Sequence, residues 1–281
     1  MKEKGCIFRS EAGRKVAQRF MSVDPLAEEY PAISPYVYTA NNPIRYIDPN
    51  GMYFTERSQA YLERLNEYME NRIASYDKRI AKAEAKGKDK RVERLTRQRD
   101  NLSTKFNATR AEIAELAASD QAYDIYVSDK YSESGPIPGM GTDRGGATFN
   151  FSGGVFEIVL PKGNDVGFIA HELKHAHQFE TGQYSVGPEL EGEYKNLLYD
   201  KTDEVAAYSR GAAFGQRRYS LHDLPSEYDR VATGPVDITS HPNLKHILNA
   251  PAGRQQKAFQ GIANATGHAF RVNGKTYYKK R

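Results

Sequence analysis

His171-Glu172-Leu173-Lys174-His175 is the stretch on which the reading of this chain turns. A helix places positions i and i+4 on one face about one turn apart, so both imidazoles can reach one metal ion while Glu172 leans toward a water held there. The flanks suit a helix. Asn164 or Asp165 can cap its start, Val166, Phe168, Ile169, Leu173 and Phe179 give it apolar contacts, and Gly182 is placed to end it. His177 lies six positions after His171, about 240° around the helix, and reads as a surface histidine rather than a ligand.

Two histidines do not complete a catalytic zinc site; a third protein ligand must come from elsewhere and leave a position for water. Cys6 is the one cysteine, which excludes an internal disulfide and a thiolate zinc site, so that ligand is His, Asp or Glu. Gln178 and Thr181 stand where an HExxHxxGxxH motif would continue. A carboxylate from a later helix is needed instead. Glu204, 29 positions after His175 in Thr202-Asp203-Glu204-Val205-Ala206-Ala207-Tyr208, is the leading candidate: Thr202 can cap that helix, and Ala207 allows a close approach. Glu189, Glu191, Glu193, Asp200 and Asp203 compete, and Asp203 suits a supporting role in orienting a histidine.

Glu204-Val205-Ala206-Ala207-Tyr208 is similar to the E-x-x-A-Y signature that supplies the third ligand in gluzincin-like metallopeptidases. The resemblance implies Zn²⁺ held by His171, His175 and Glu204, and peptide hydrolysis through a metal-bound water with Glu172 as general base. A developing oxyanion needs a second donor. Tyr208 is the catalytic candidate for that role, with Tyr194, Tyr184 and His222 as alternatives.

Working outward, Tyr123–Ser128, Ala147–Phe151 and Val155–Leu160 are short strand-like runs separated by Gly-rich turns. Val155–Leu160 is the expected edge for an extended peptide substrate. Near the C-terminus, His268 to Tyr278 carries Asn273-Gly274 at its centre, a two-residue hairpin turn whose expected role is packing. Upstream, Leu62, Leu65, Met69, Ile73, Tyr76, Ile80 and Ala83 step by threes and fours, and the stepping resumes after Gly87 through Val92, Leu95, Leu102, Phe106, Ile113 and Leu116. This pattern predicts two antiparallel helices. The expected class is α+β: a zincin-like metallopeptidase domain over 120–281, with a small mixed sheet, the HExxH helix and a later Glu helix, preceded by a charged helical hairpin over 53–119.

Residues 22–51 read SVDPLAEEYPAISPYVYTANNPIRYIDPNG, a turn-rich segment whose X-Pro steps disfavour a helix. It resembles the closing segment of the Rhs repeat-associated core, the cap that precedes the variable toxin of polymorphic toxins. That resemblance makes 1–52 a short core remnant and implies delivery between bacteria by a specialised secretion system. It also implies a protein or peptide substrate in a recipient cell and a neutralising immunity protein. Self-cleavage near the final DPxG would involve Asp48 and Gly51; the earlier Asp24-Pro25-Leu26-Ala27 departs from that pattern at Ala27.

Composition bounds the alternatives. The 281 residues include 27% charged side chains and no tryptophan, and the mean hydropathy of −0.72 places much of that polarity in exposed elements such as the hairpin. No apolar run reaches membrane-spanning length, and charges interrupt any signal-like core between Met1 and Phe20, so transport without a Sec signal is expected. The net charge of +4 comes with a basic C-terminal region, but no aromatic-basic motif for nucleic acid accompanies it. Two other functions fit the same residues: a non-catalytic toxin or binding module using the hairpin and basic tail, and a zinc amidase acting on cell-wall peptides.

Overall fold

The two runs of apolar side chains before and after Gly87 fold as α1 (Gln59–Glu84) and α2 (Asp89–Ala117), because each run lines one face of a 3.6-residue repeat. A computed structural model of the chain describes residues 54–128, 145–163, 165–188, 197–234 and 236–280. The segment carrying Asp48 and Gly51 lies outside them, as do Tyr194, Glu189, Glu191 and Glu193. Gly87 turns the chain with φ +61°. Asp77 then meets Arg99 at 3.1 Å and Asn66 meets Arg110 at 3.1 Å, so numbers fall along one helix as they rise along the other: the pair is antiparallel. At its base the hairpin buries Leu65, Met69, Phe106 and Leu116 almost completely. Toward the turn only Ile80, Ala83 and Leu95 form a buried cluster.

Beyond the hairpin come β1 (Ala122–Val127), β2 (Gly146–Asn150) and β3 (Val155–Leu160), ordered β1-β3-β2, with β1 parallel and β2 antiparallel to β3. The strand expected at the edge is therefore central. Phe156, Ile158 and Leu160 point to one face and Val159 to the other, all fully buried, which is the pattern of a strand covered on both faces and paired on both sides. The edge next to the cleft described below is β2. Phe179, from α3 (Val166–Glu180), packs its ring 4.8 Å from Phe156 and 5.7 Å from Phe149, laying that helix on the sheet.

A second sheet is antiparallel, ordered β4 (Ser185–Val186), β5 (Ala269–Val272) and β6 (Lys275–Tyr277). Asn273 and Gly274 join its last two strands with φ of 49° and 74°, both positive as a tight hairpin turn requires. Phe270, Val272 and Tyr277 pack with Leu197, Leu244 and Phe259, the last from α5 (Ala252–Thr266). Buried Arg271 ties this sheet to α3 and the hairpin's end: it reaches Glu180 Oε1 at 3.0 Å and Ser119 Oγ at 3.1 Å and pairs with Asp120. With α4 (Lys201–Ala213), the described residues hold five α-helices and one mixed and one antiparallel sheet, an α+β arrangement. No helix among them is long and apolar enough to cross a membrane.

Candidate metal centre

The centre is built where α3 and α4 cross. Asp165 caps α3, its carboxylate accepting from the Phe168 amide at 2.7 Å. On α4 the cap is Asp200 rather than Thr202: its carboxylate accepts from the Thr202 amide at 2.6 Å, and the Asp203 carboxylate accepts from the Asp200 amide at 3.0 Å, closing a capping box. The helices are antiparallel and close. A Cβ at Gly211 of α4 would run into the Gln216 side chain and stand 3.0 Å from the Gly167 carbonyl oxygen of α3, a tight fit that glycine avoids. Ala207, fully buried, keeps the same face of α4 small one turn earlier.

That crossing brings His171, His175 and Glu204 together. Their Nε2 atoms are 3.2 Å apart; Glu204 Oε2 is 3.4 Å from His171 Nε2, and Glu204 Oε1 is 3.2 Å from His175 Nε2. Ligand atoms around a tetrahedral zinc, each about 2.0–2.1 Å from the metal, stand about 3.3–3.4 Å from one another. All three residues are at most 5% exposed, and Glu204 Oε2 is buried without a hydrogen bond. An acceptor left so costs stability unless a cation meets it. Among the described residues this is the one group of three such side chains whose donor atoms converge, and it can hold a metal ion.

The surrounding contacts prepare the donors. Gln178 Oε1 lies 2.8 Å from His175 Nδ1, and its Nε2 donates to the Asp203 carbonyl at 3.2 Å, which fixes the amide. With Gln178 accepting on the Nδ1 side, His175 keeps a proton on Nδ1, and its Nε2, facing Glu204, is the position that a proton or a metal ion can take. The orienting role expected of the Asp203 carboxylate thus falls to Gln178, because that carboxylate is engaged in the capping box. The Tyr199 hydroxyl donates to Glu204 Oε1 at 2.7 Å, and Tyr184 stacks on His175 with centroids 4.9 Å apart. Burial alone would raise Glu204's pKa, but the two imidazoles hold it well below the usual carboxylate range.

Glu172 points beside this group, its Oε1 3.9 Å from His171 Nε2, and is 5% exposed. Burial raises its pKa; the Glu204 charge adds to the rise, while the two histidines oppose it. It lines a cavity of about 330 Å³ together with His171, Tyr208, Tyr219, Tyr228 and Gly145, the residue preceding β2. Tyr208 packs its ring 4.4 Å from that of His171 and sets its hydroxyl 3.3 Å from that of Tyr228; burial pushes its pKa up to about 12, so it is a donor at neutral pH. Of the alternatives to Tyr208, Tyr184 and His222 do not line this cavity, and His222 is exposed. His177 faces away and pairs with Glu115 of α2 at 2.8 Å.

No protein-family model, curated protein or solved structure matches this chain. Its functional reading therefore rests on the chemistry of the donor set. Gln178, Tyr199 and Tyr228 escaped the sequence reading. Gln178 follows His175 by three positions, a helical neighbour that the 3.6-residue period could have flagged. Tyr199 and Tyr228 come from outside the α-helices and carry no comparable signal.

Proposed function

We propose that this chain is a zinc-dependent metallopeptidase toxin of the Rhs type, with a zincin-like domain over 120–281 that hydrolyses peptide bonds of a protein in a recipient cell. The observation that carries the reading is the buried His171, His175 and Glu204 group with Glu172 beside it at the wall of an open cavity. A zinc ion bound by such a group supplies an acidified water and polarises a carbonyl. Glu172 takes the proton of the attacking water and returns it to the departing amine; burial raises its pKa, so the carboxyl holds that proton more readily between the two transfers. Tyr208 donates to the oxygen on which negative charge develops, and Tyr228 positions that hydroxyl. An extended substrate adds as a strand on β2, whose preceding residue Gly145 borders the cavity.

The toxin context comes from the Rhs-like segment at 22–51, which supports passage through a specialised secretion system and a dedicated immunity protein. Expression of Glu172→Gln in a susceptible cell tests the reading. Hydrolysis should fall about 10²–10⁴-fold and toxicity should vanish, while zinc stays bound. Undiminished toxicity would instead favour a binding module, and less than about half an equivalent of zinc on the purified wild type would sink the enzyme altogether.

A further inference from the structure

Glu112 of α2 touches none of the three donors, yet each helix that bears them sends it a cation. Lys174, on α3 between the two histidines, places Nζ 2.9 Å from Glu112 Oε1. Arg210, six positions beyond Glu204 on α4, places Nη2 2.8 Å from the same oxygen. The side chains are 17%, 17% and 10% exposed for Glu112, Lys174 and Arg210, so the cluster is substantially withdrawn from water.

Stability alone is a weak reason for such a cluster, since apolar residues of similar volume commonly hold a fold as well as buried ion pairs do. A shared anion differs from an apolar contact in being directional. One oxygen that accepts from α3 and from α4 refers both helices to a single point on the hairpin. The centre demands that kind of reference: donor atoms 3.2–3.4 Å apart on two separate helices must keep their distances to the metal within about 0.2 Å. Glu115, one turn along α2, provides the contrast. It binds His177 of α3 at 2.8 Å, is 62% exposed, and shows no bond to α4.

We propose that Glu112 is a positioning residue for the metal centre: by accepting from Lys174 and Arg210 it sets α3 against α4, so that His171 and His175 converge on Glu204. The helical hairpin is then part of the site's framework. This inference rests on the metal-binding reading above.

The test uses the full chain as wild type, Glu112→Gln and Glu115→Gln, with zinc affinity read by competition against a chromophoric chelator and coordination read from the visible spectrum of the cobalt-loaded protein. Glu112→Gln keeps the side chain's size and removes the shared anion. It should weaken zinc about 10–100-fold and alter the cobalt bands, as loss of a group supporting the ligands does; Glu115→Gln should change neither. Should Glu112→Gln fail to fold by circular dichroism, Arg210→Met, which frees α4 alone, is expected to show the same loss. Wild-type affinity and an unaltered cobalt spectrum in a folded variant would overturn the positioning role and leave the metal centre standing. A wild type that binds no zinc would overturn both.

Discussion

His175 at the candidate metal centre and His268 beside the second sheet are buried almost equally, at 3% and 5% exposure, and their pKa values shift in opposite directions. Burial favours the neutral imidazole, and at His268 it lowers the pKa to about 4; among the described residues its ring bonds to neutral groups, the Pro188 carbonyl at 2.7 Å and the Ser185 hydroxyl at 3.5 Å. At His175 burial acts the same way but is overridden by the Glu204 carboxylate, with Glu172 and Asp203 adding to it, and the pKa rises to about 9. The difference lies in the neighbours and not in depth. A buried group holding more carboxylates than cations attracts positive charge, and a proton and a metal ion are rival ways of supplying it.

The strongest way to break this contrast is Glu204→Gln, which keeps the shape of the centre and removes its anion. Zinc affinity should fall more than about a hundredfold, taking one ligand's share as about 3 kcal/mol of the roughly 10–16 kcal/mol of a four-ligand site; a chelator competition measures it.

Next in size is pH. His268 has a folded pKa below its unfolded one, so its contribution is present above about pH 6.5 and is lost as pH falls through about 4, a loss of about 3 kcal/mol. His175 has the reverse shift, so in metal-free protein its contribution is complete below about pH 6.5 and is lost as pH rises through about 9. Urea midpoints of the metal-free protein should therefore fall on both sides of neutrality. His268→Gln should flatten the acid limb, and added zinc should remove the alkaline one.

Gln178→Ala gives a smaller effect: His175 keeps its burial and its carboxylates but loses the acceptor on Nδ1, and zinc affinity should drop about 10–100-fold. Smallest is His177→Gln. This third histidine of α3 meets an exposed carboxylate, so zinc affinity should be unchanged and the melting temperature almost so.

The same three histidines show how much was legible beforehand. That His171 and His175 share a face and His177 leaves it follows from the helical period alone, and the structure places them accordingly. The apolar stepping of the hairpin and the Asn273-Gly274 turn were equally readable, because each depends on neighbours a few positions apart. Details that depend on competition between nearby groups were not. Thr202 and Asp200 can both cap a helix, and what selects Asp200 is the reciprocal bond with Asp203 together with a further bond from the Val236 amide at 2.7 Å. That bond to Asp203 in turn leaves Gln178 to orient His175. Likewise, an apolar run such as Val155–Leu160 identifies a strand covered on both faces, but its place in the order of the sheet is a property of pairing with β1 and β2, which no single strand encodes.

By itself the sequence determined the local elements and the two-histidine face, since dihedral preference, capping and periodicity act over a few residues. It could also propose Glu204, but only among competing acids. The tertiary structure alone decided that Glu204 comes within 3.4 Å of both imidazoles, that Gln178 and Tyr199 complete the setting, and that Glu112 reaches both ligand-bearing helices. Those relations depend on how closely α3 and α4 approach. Gly211 faces the Gly167 carbonyl across the helix pair from 44 positions away, too far along the chain for any short span to impose that geometry.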